Sequence, residues 1–366
     1  MGLDAEHGDV VSWTDRRWID LAGAATPIIQ APMAGAGGVD LAVAAMRGGG
    51  VGSLPCALLT PDAVREQVAM LRARATGPIN LNFFCHTMPP PPDEADWRAL
   101  LSPYYAEYGV GPPDEAPPLR LPFDAAMCAV VEEVRPDIVS FHFGLPDRPL
   151  LKRVRAAARL VIASATGVES ARRLAAAGVD AVIAQGWEAG GHASDWLPTD
   201  AGAPMGLMAL VPQIADAVGV PVIAAGGIAD ARGIAAALAL GASAVQLGTA
   251  YLHCPESLIH PAHRAALAGP EAELTAFTNL ISGGRARGLP GRLTRDLGPI
   301  RAEAPPYPYA ASALAPLRQA AEAEGDLSFS PAWAGQSARL GRAGEPAEAL
   351  TRRLAAEALA LLGAKA

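Results

Sequence analysis

Eight short apolar runs, separated by stretches of helical spacing, set the strongest limit on what this chain can fold into. They fall at Pro27-Met33, Val51-Pro55, Ile79-Phe84, Asp137-Gly144, Leu160-Ala165, Asp180-Gly186, Val220-Gly227 and Ala244-Leu252. Between most of them lie Ala-, Leu- and Arg-rich segments such as Pro61-Arg74, Phe123-Val134, Val168-Ala177, Leu207-Val218 and Asp230-Leu240, where apolar residues recur at the spacing of one helix face. A run such as Val220-Pro221-Val222-Ile223-Ala224-Ala225 is apolar at almost every position, as expected of a strand covered on both faces in a parallel sheet. Eight such units predict an α/β fold closed as a (β/α)8 TIM barrel, with an open doubly wound sheet as the competitor. The competitor needs Gly-x-Gly-x-x-Gly after an early strand. Gly35 and Gly37 supply two glycines, but the third position is Asp40. An internal echo, Gly167-Val168-Glu169-Ser170-Ala171-Arg172 against Gly227-Ile228-Ala229-Asp230-Ala231-Arg232, fits repeated βα units, although an Ala-rich helix bias produces the same likeness.

A barrel of about 250 residues leaves part of the 366 residues for an appendage. The barrel is expected over residues 1–255 and 330–366, with a smaller second domain or cap over 256–329, where the rhythm turns irregular. A proline-rich excursion at 87–121, carrying Trp97, Tyr104, Tyr105 and Tyr108, reads as a lid or an ornament. The segment from Pro346 to Ala366 is expected to form a helix packing back on the barrel, with Pro346 in its first turn.

The net charge is -8 and there is no dense Lys/Arg run, so nucleic acid and anionic membrane are not expected partners and a small molecule is. The opening residues carry Asp4, Glu6, Asp9, Asp15 and Arg16 with no apolar core of a secretory signal, and no apolar run approaches a bilayer span. Cys56, Cys85, Cys128 and Cys254 are scattered, arguing against a disulfide framework and for a cytoplasmic protein. A homo-oligomer is compatible with this composition, which sets no stoichiometry.

In a barrel the ligand meets the C-terminal ends of the strands, and phosphate commonly sits on the turns after strands seven and eight. Ala225-Gly226-Gly227 and Gln246-Leu247-Gly248-Thr249 occupy those places. Gly226 and Gly227 let backbone amides approach an anion, the helix starting near Asp230 would aim its positive end at it, and Gly248-Thr249 would add an amide and a hydroxyl. Either turn alone is equally readable as a tight βα turn. Gln30, beside Ala31-Pro32-Met33, together with Asn80, Asn82 and Gln185, places amides in otherwise apolar strands. There they need partners, which a flavin ring would supply and a buried structural network would supply equally. Gln185-Gly186-Trp187-Glu188-Ala189-Gly190-Gly191-His192 is the most specific stretch. It puts an imidazole at the mouth of the sixth strand, able to take or relay a proton, and His142 ends the fourth strand. Both histidines also admit a structural reading. His253, His260 and His263 with Cys254 match no standard ligand spacing, so no metal is expected, and no Ser or Cys nucleophile motif is present.

Several of these stretches together resemble one family. Ile28-Ile29-Gln30-Ala31-Pro32-Met33, Asn80-Leu81-Asn82-Phe83-Phe84, Ser140-Phe141-His142-Phe143-Gly144, Gln185 through His192, Ala225-Gly226-Gly227-Ile228 and Gln246-Leu247-Gly248-Thr249 are similar to the nitronate monooxygenases, formerly 2-nitropropane dioxygenases. The likeness continues through Ser282 to Gly288 and Trp333-Ala334-Gly335-Gln336-Ser337, nearly the whole chain. The resemblance implies an FMN-containing barrel that oxidises nitronates or nitroalkanes with O2 to a carbonyl compound and nitrite, without nicotinamide or metal. It implies FMN contacts from Pro32, Met33, Asn82, Gln185, Gly190, Gly227, Gln246, Gly248 and Thr249, to which the phosphate turns add Gly226 and Leu247, and a catalytic His192. The family pattern has glycine two residues after the histidine, whereas here Ala193-Ser194-Asp195-Trp196 follow. That departure and the long excursion lie near the mouth, so they bear on the substrate, which a larger nitro compound would satisfy. The alternatives are an NAD(P)H-dependent flavin reductase of the enoyl-thioester type, a binding barrel without activity, and a phosphosugar isomerase-like barrel.

Overall fold

The computed structural model describes residues 12–113, 118–197 and 204–363. Eight parallel strands form one sheet: β1 (Ile28–Gln30), β2 (Gly52–Pro55), β3 (Ile79–Phe84), β4 (Ile138–His142), β5 (Leu160–Ala165), β6 (Ala181–Gln185), β8 (Val222–Ala225) and β9 (Ala244–Leu247). Their order is β1-β9-β8-β6-β5-β4-β3-β2. A parallel bridge between Ile29 and Val51, with Gln30 N donating to Val51 O at 3.0 Å, joins the two ends. The sheet therefore closes as the TIM barrel expected from the eight runs. The strands are shorter than those runs because several residues at the ends, among them Pro32, Met33, Gly226 and Gly227, belong to the loops that follow.

Strand period explains the wall. In β5, Leu160 and Ile162 face the barrel interior with Ile29, Val51, Ile138, Ile183 and Ile223. Val161, Ala163 and Ala165 face the surrounding helices. Both faces are dry, hence the near-continuous apolar sequence. At the N-terminal end a short helix, Arg17–Ala22, adds Trp18 to the interior cluster with no exposed area.

The helices form where their caps and faces agree. Thr60 accepts from Ala63 N at the start of Pro61–Arg74, whose Val64, Val68 and Leu71 are buried. The helix Ala231–Ala239 is capped by Asp230, and Leu207–Ala217 buries Leu207, Leu210, Val211 and Ile214. After β9 only the four-residue helix Thr249–Leu252 follows before the chain leaves the barrel. The outer ring is completed instead by the last helix, Ala347–Gly363, which packs between Ala231–Ala239 and the helix Val39–Arg47 that follows β1. Tyr251 OH and Thr351 Oγ1, 2.7 Å apart, tie it to the β9 turn.

A second apolar cluster lies outside the barrel. The excursion contains the helix Ala95–Tyr108, which packs against Ala310–Ala323 of the segment after the barrel. Trp97, Leu101, Tyr104 and Tyr105 join Leu314, Leu317 and Phe329 there. Trp97 Nε1 donates to Ala310 O and Tyr105 OH to Ala313 O. The excursion's aromatics are thus core residues of a joint unit. A three-stranded antiparallel sheet, β10 (Ala276–Thr278), β11 (Ala286–Gly288) and β7 (Gly191–His192), joins that segment to the barrel mouth. Among the described residues no helix is long and apolar enough to cross a membrane.

Candidate active site

The C-terminal ends of the strands open into a cavity of about 290 Å3. Strand period decides which polar groups reach it. Asn82 and Phe84 in β3, His142 in β4, Ser164 in β5, Gln185 in β6 and Gln246 in β9 lie at inward-facing positions near the strand ends and line it. Pro32, Met33, Gly190, His192, Gly226, Gly227, Gly248 and Thr249 line it too. Leu247 does not: one residue after the inward Gln246, its side chain packs outward among the helices, and its carbonyl accepts from Ala31 N.

Both glycine turns come to the wall without side chains between backbone and cavity. Gly226 (φ 112°) and Gly227 (φ 68°) adopt backbone that favours glycine, and a Cβ on Gly226 would lie 2.9 Å from Ala189 N. Asp230 caps the helix that follows by accepting from Gly233 N at 3.1 Å, which fixes where that helix starts behind the turn. Gly190 meets Gly335 closely enough that a Cβ would come within 2.5 Å of Gly335 N, and Thr249 Oγ1 accepts from that same N at 2.9 Å.

His192 sits in β7, paired with Ala286 of β11, and its position is set by its own carbonyl. Gln185 Nε2 donates to that carbonyl at 2.9 Å and His142 Nε2 at 3.1 Å, so His142 carries its hydrogen on Nε2. Gln185 Oε1 accepts from Ser194 N at 2.7 Å, so both ends of this amide hold the histidine loop. Ser194, where the family pattern has glycine, is fully buried. Its hydroxyl donates to Ser164 O at 3.3 Å and accepts from Phe143 N at 3.0 Å, supporting a Phe143 backbone held at φ 64°. The departure from the pattern therefore adds a tie between β4, β5 and the histidine loop.

The His192 ring lies 2.8 Å from Ser282 Oγ through Nε2, within an aromatic wall of Phe84, Phe143, Tyr307 and Trp333 at ring distances of 5.1–6.3 Å. Burial holds its pKa well below the ordinary value, and the nearby Arg120, His142 and His86 push the same way. Burial likewise pushes His142 down to about 4. The site thus offers neutral imidazoles at neutral pH. Ser282 and Trp333 lay within stretches of the family likeness, but no local pattern marked them. Phe143 lay within such a stretch too, whereas Tyr307 and Arg120 carried no signal, because only tertiary packing brings them to His192.

The remaining amides divide between structure and ligand. Gln30 is satisfied within the protein, accepting from Ser53 N at 2.9 Å and donating to Ala31 O. Asn80 Nδ2 donates to Ser53 Oγ deep in the barrel, and Asn82 Nδ2 donates to Ser140 Oγ at 3.0 Å. Gln246 Oε1 is buried at the cavity with no hydrogen-bond partner among the described residues. An acceptor left this way points to a ligand donor, and the NH groups of a flavin ring are of that kind. With the glycine turns, this buried acceptor fits a flavin. His253 donates to Ala338 O at 3.0 Å and His260 accepts from Ala262 N, and among the described residues no group of three side chains is placed to hold a metal.

This fold and site define a barrel oxidoreductase of the flavin-dependent type. The family model described as nitronate monooxygenase matches residues 16–357. The chain is 43% identical to the nitronate monooxygenase of Pseudomonas aeruginosa, covering 93% of this chain and 98% of that protein, and 43% identical to the nitronate monooxygenase of Paraburkholderia phytofirmans, covering 91% and 92%. It belongs to the nitronate monooxygenase family. Among solved structures it is similar to a nitroalkane oxidase from Streptomyces ansochromogenes, with 39% identity, a TM-score of 0.85 and coverage of 96% and 100%. It is also similar to FabK from Thermotoga maritima, with 27% identity, a TM-score of 0.71 and coverage of 96% and 98%.

Proposed function

We propose that the protein binds FMN at the barrel mouth and oxidises nitronates, and nitroalkanes through their nitronates, with O2 to a carbonyl compound and nitrite. One observation carries the reading: a neutral, buried His192 opens on the same cavity as the two glycine turns and the unpartnered Gln246 Oε1. Gly226, Gly227, Gly248 and Thr249 would hold the phosphate, and Pro32, Met33, Asn82, Gln185, Gly190 and Gln246 the ring and its chain. The flavin supplies the electron acceptor for the substrate carbon and the route of those electrons to oxygen. His192 takes the proton from the carbon beside the nitro group of a neutral substrate, and for a nitronate it orients the anion. Phe84, Phe143, Tyr307 and Trp333 keep bulk water from that carbon. Adding propyl nitronate under air to the purified yellow protein should consume oxygen and release nitrite. Absence of turnover with any nitronate would sink the activity.

A second reading, a flavin reductase driven by NADH or NADPH, rests on the reach of the cavity beyond the glycine turns toward His260, His263 and the Arg318–Glu322 pair, which leaves polar wall for another ligand. Rapid anaerobic bleaching of the flavin by either nucleotide favours it. Resistance to both removes it.

A further inference from the structure

Arg120, from the proline-rich excursion, lines the cavity, where its charge helps to hold His192 neutral. Its backbone is held in place by His86 Nε2, which donates to Arg120 O at 3.1 Å. Its guanidinium lies beside the Tyr307 hydroxyl, which makes no hydrogen bond of good geometry, and the Tyr307 ring stands 4.8 Å from His86 and 5.1 Å from His192. The other arginine at the cavity wall, Arg318, is neutralised by Glu322 at 2.7 Å. Arg120 enters no ion pair with any described residue. A partly exposed cation at the cavity wall with no carboxylate partner among the described residues, next to a histidine held neutral, is a place where an anionic ligand finds its complement.

We propose that Arg120 is the anion anchor of this cavity, whose planar fork takes the two nitro-group oxygens of a nitronate and selects the anion. The chemistry matches: a nitronate spreads its charge over two coplanar oxygens, the geometry a guanidinium grips with paired N–H bonds. The proposal rests on the nitronate reading above for its substrate, and on the lining of the cavity for its charge.

The test uses the flavin-loaded wild type, Arg120→Gln and Arg120→Lys, with nitrate as a planar, unreactive probe titrated at constant ionic strength by flavin absorbance or calorimetry. Arg120→Gln should weaken nitrate binding and raise KM for propyl nitronate about tenfold or more, with a smaller change in kcat. Arg120→Lys should recover part of the loss. Unchanged flavin content and melting temperature would show that the fold is intact. Nitrate affinity and nitronate KM within twofold of wild type in Arg120→Gln would overturn the anchor. So would an equal fall in kcat and kcat/KM with nitrate binding retained. If wild type binds nitrate through Arg120 but turns over no nitronate, the functional reading fails and the anchor stands.

Discussion

His192 is held in place, and held neutral, by what surrounds it. Gln185 and His142 grip its carbonyl, Ser282 meets its ring, and burial keeps it neutral. Replacing His192 by Asn should lower turnover of a neutral nitroalkane about 10²- to 10⁴-fold while costing a preformed nitronate less, because only the neutral substrate needs a base. Equal losses on both substrates, in steady-state oxygen uptake, would remove the proton role. The active form of the base is the unprotonated one and its pKa lies below the ordinary 6.5, so activity on nitroalkane should hold as pH falls through 6.5 and decline only at lower pH. A limb at or above 6.5 would contradict that. The residue type and place of His192 were legible in the sequence, through the glycine pair before it and the strand end it follows. The partner Ser194 was visible only as a departure, since its two hydrogen bonds reach Ser164 and Phe143 on neighbouring strands.

At the scale of elements, the turns are the most constrained pieces. Gly226→Ala would place a Cβ 2.9 Å from Ala189 N on backbone at φ 112°. It should cost about 1–3 kcal/mol in denaturant unfolding and lower the flavin retained through gel filtration. Wild-type retention and stability would show that the turn yields. The helix Ala95–Tyr108 makes a different prediction. Trp97 is fully buried against the helix Ala310–Ala323, so Trp97→Ala should destabilise by about 3–5 kcal/mol, read by calorimetry. A cost below about 1 kcal/mol would mean that the excursion packs loosely. Helices with strong caps and one apolar stripe, such as Pro61–Arg74, have the ends that their sequence predicts. Ala95–Tyr108 was hidden among prolines, and its aromatic face is buried only because a distant segment covers it.

Over the whole molecule, burial of histidines couples stability to acid. His142 and His263 are both pushed down to about 4 from an ordinary 6.5, chiefly by burial. In the unfolded chain they take protons from about 6.5 downward and in the folded protein they resist, so their contribution is full above about 6.5 and is lost as pH falls toward 4. Melting temperature should drop across that window, and replacing His263 by Gln should flatten the drop. An unchanged slope in the variant would discount the site. The eight-strand wall and its parallel sense follow from the sequence alone, because only strands covered on both faces read as near-continuous apolar runs alternating with helices. What only the tertiary structure decided is which residues face the cavity and the company they keep: the last helix filling the eighth place in the ring, β11 holding His192 by an added strand, and the excursion bringing Arg120 to the cavity. Those contacts join segments far apart in the chain, and the free energy that selects them is burial shared between the two partners, which neither segment displays on its own.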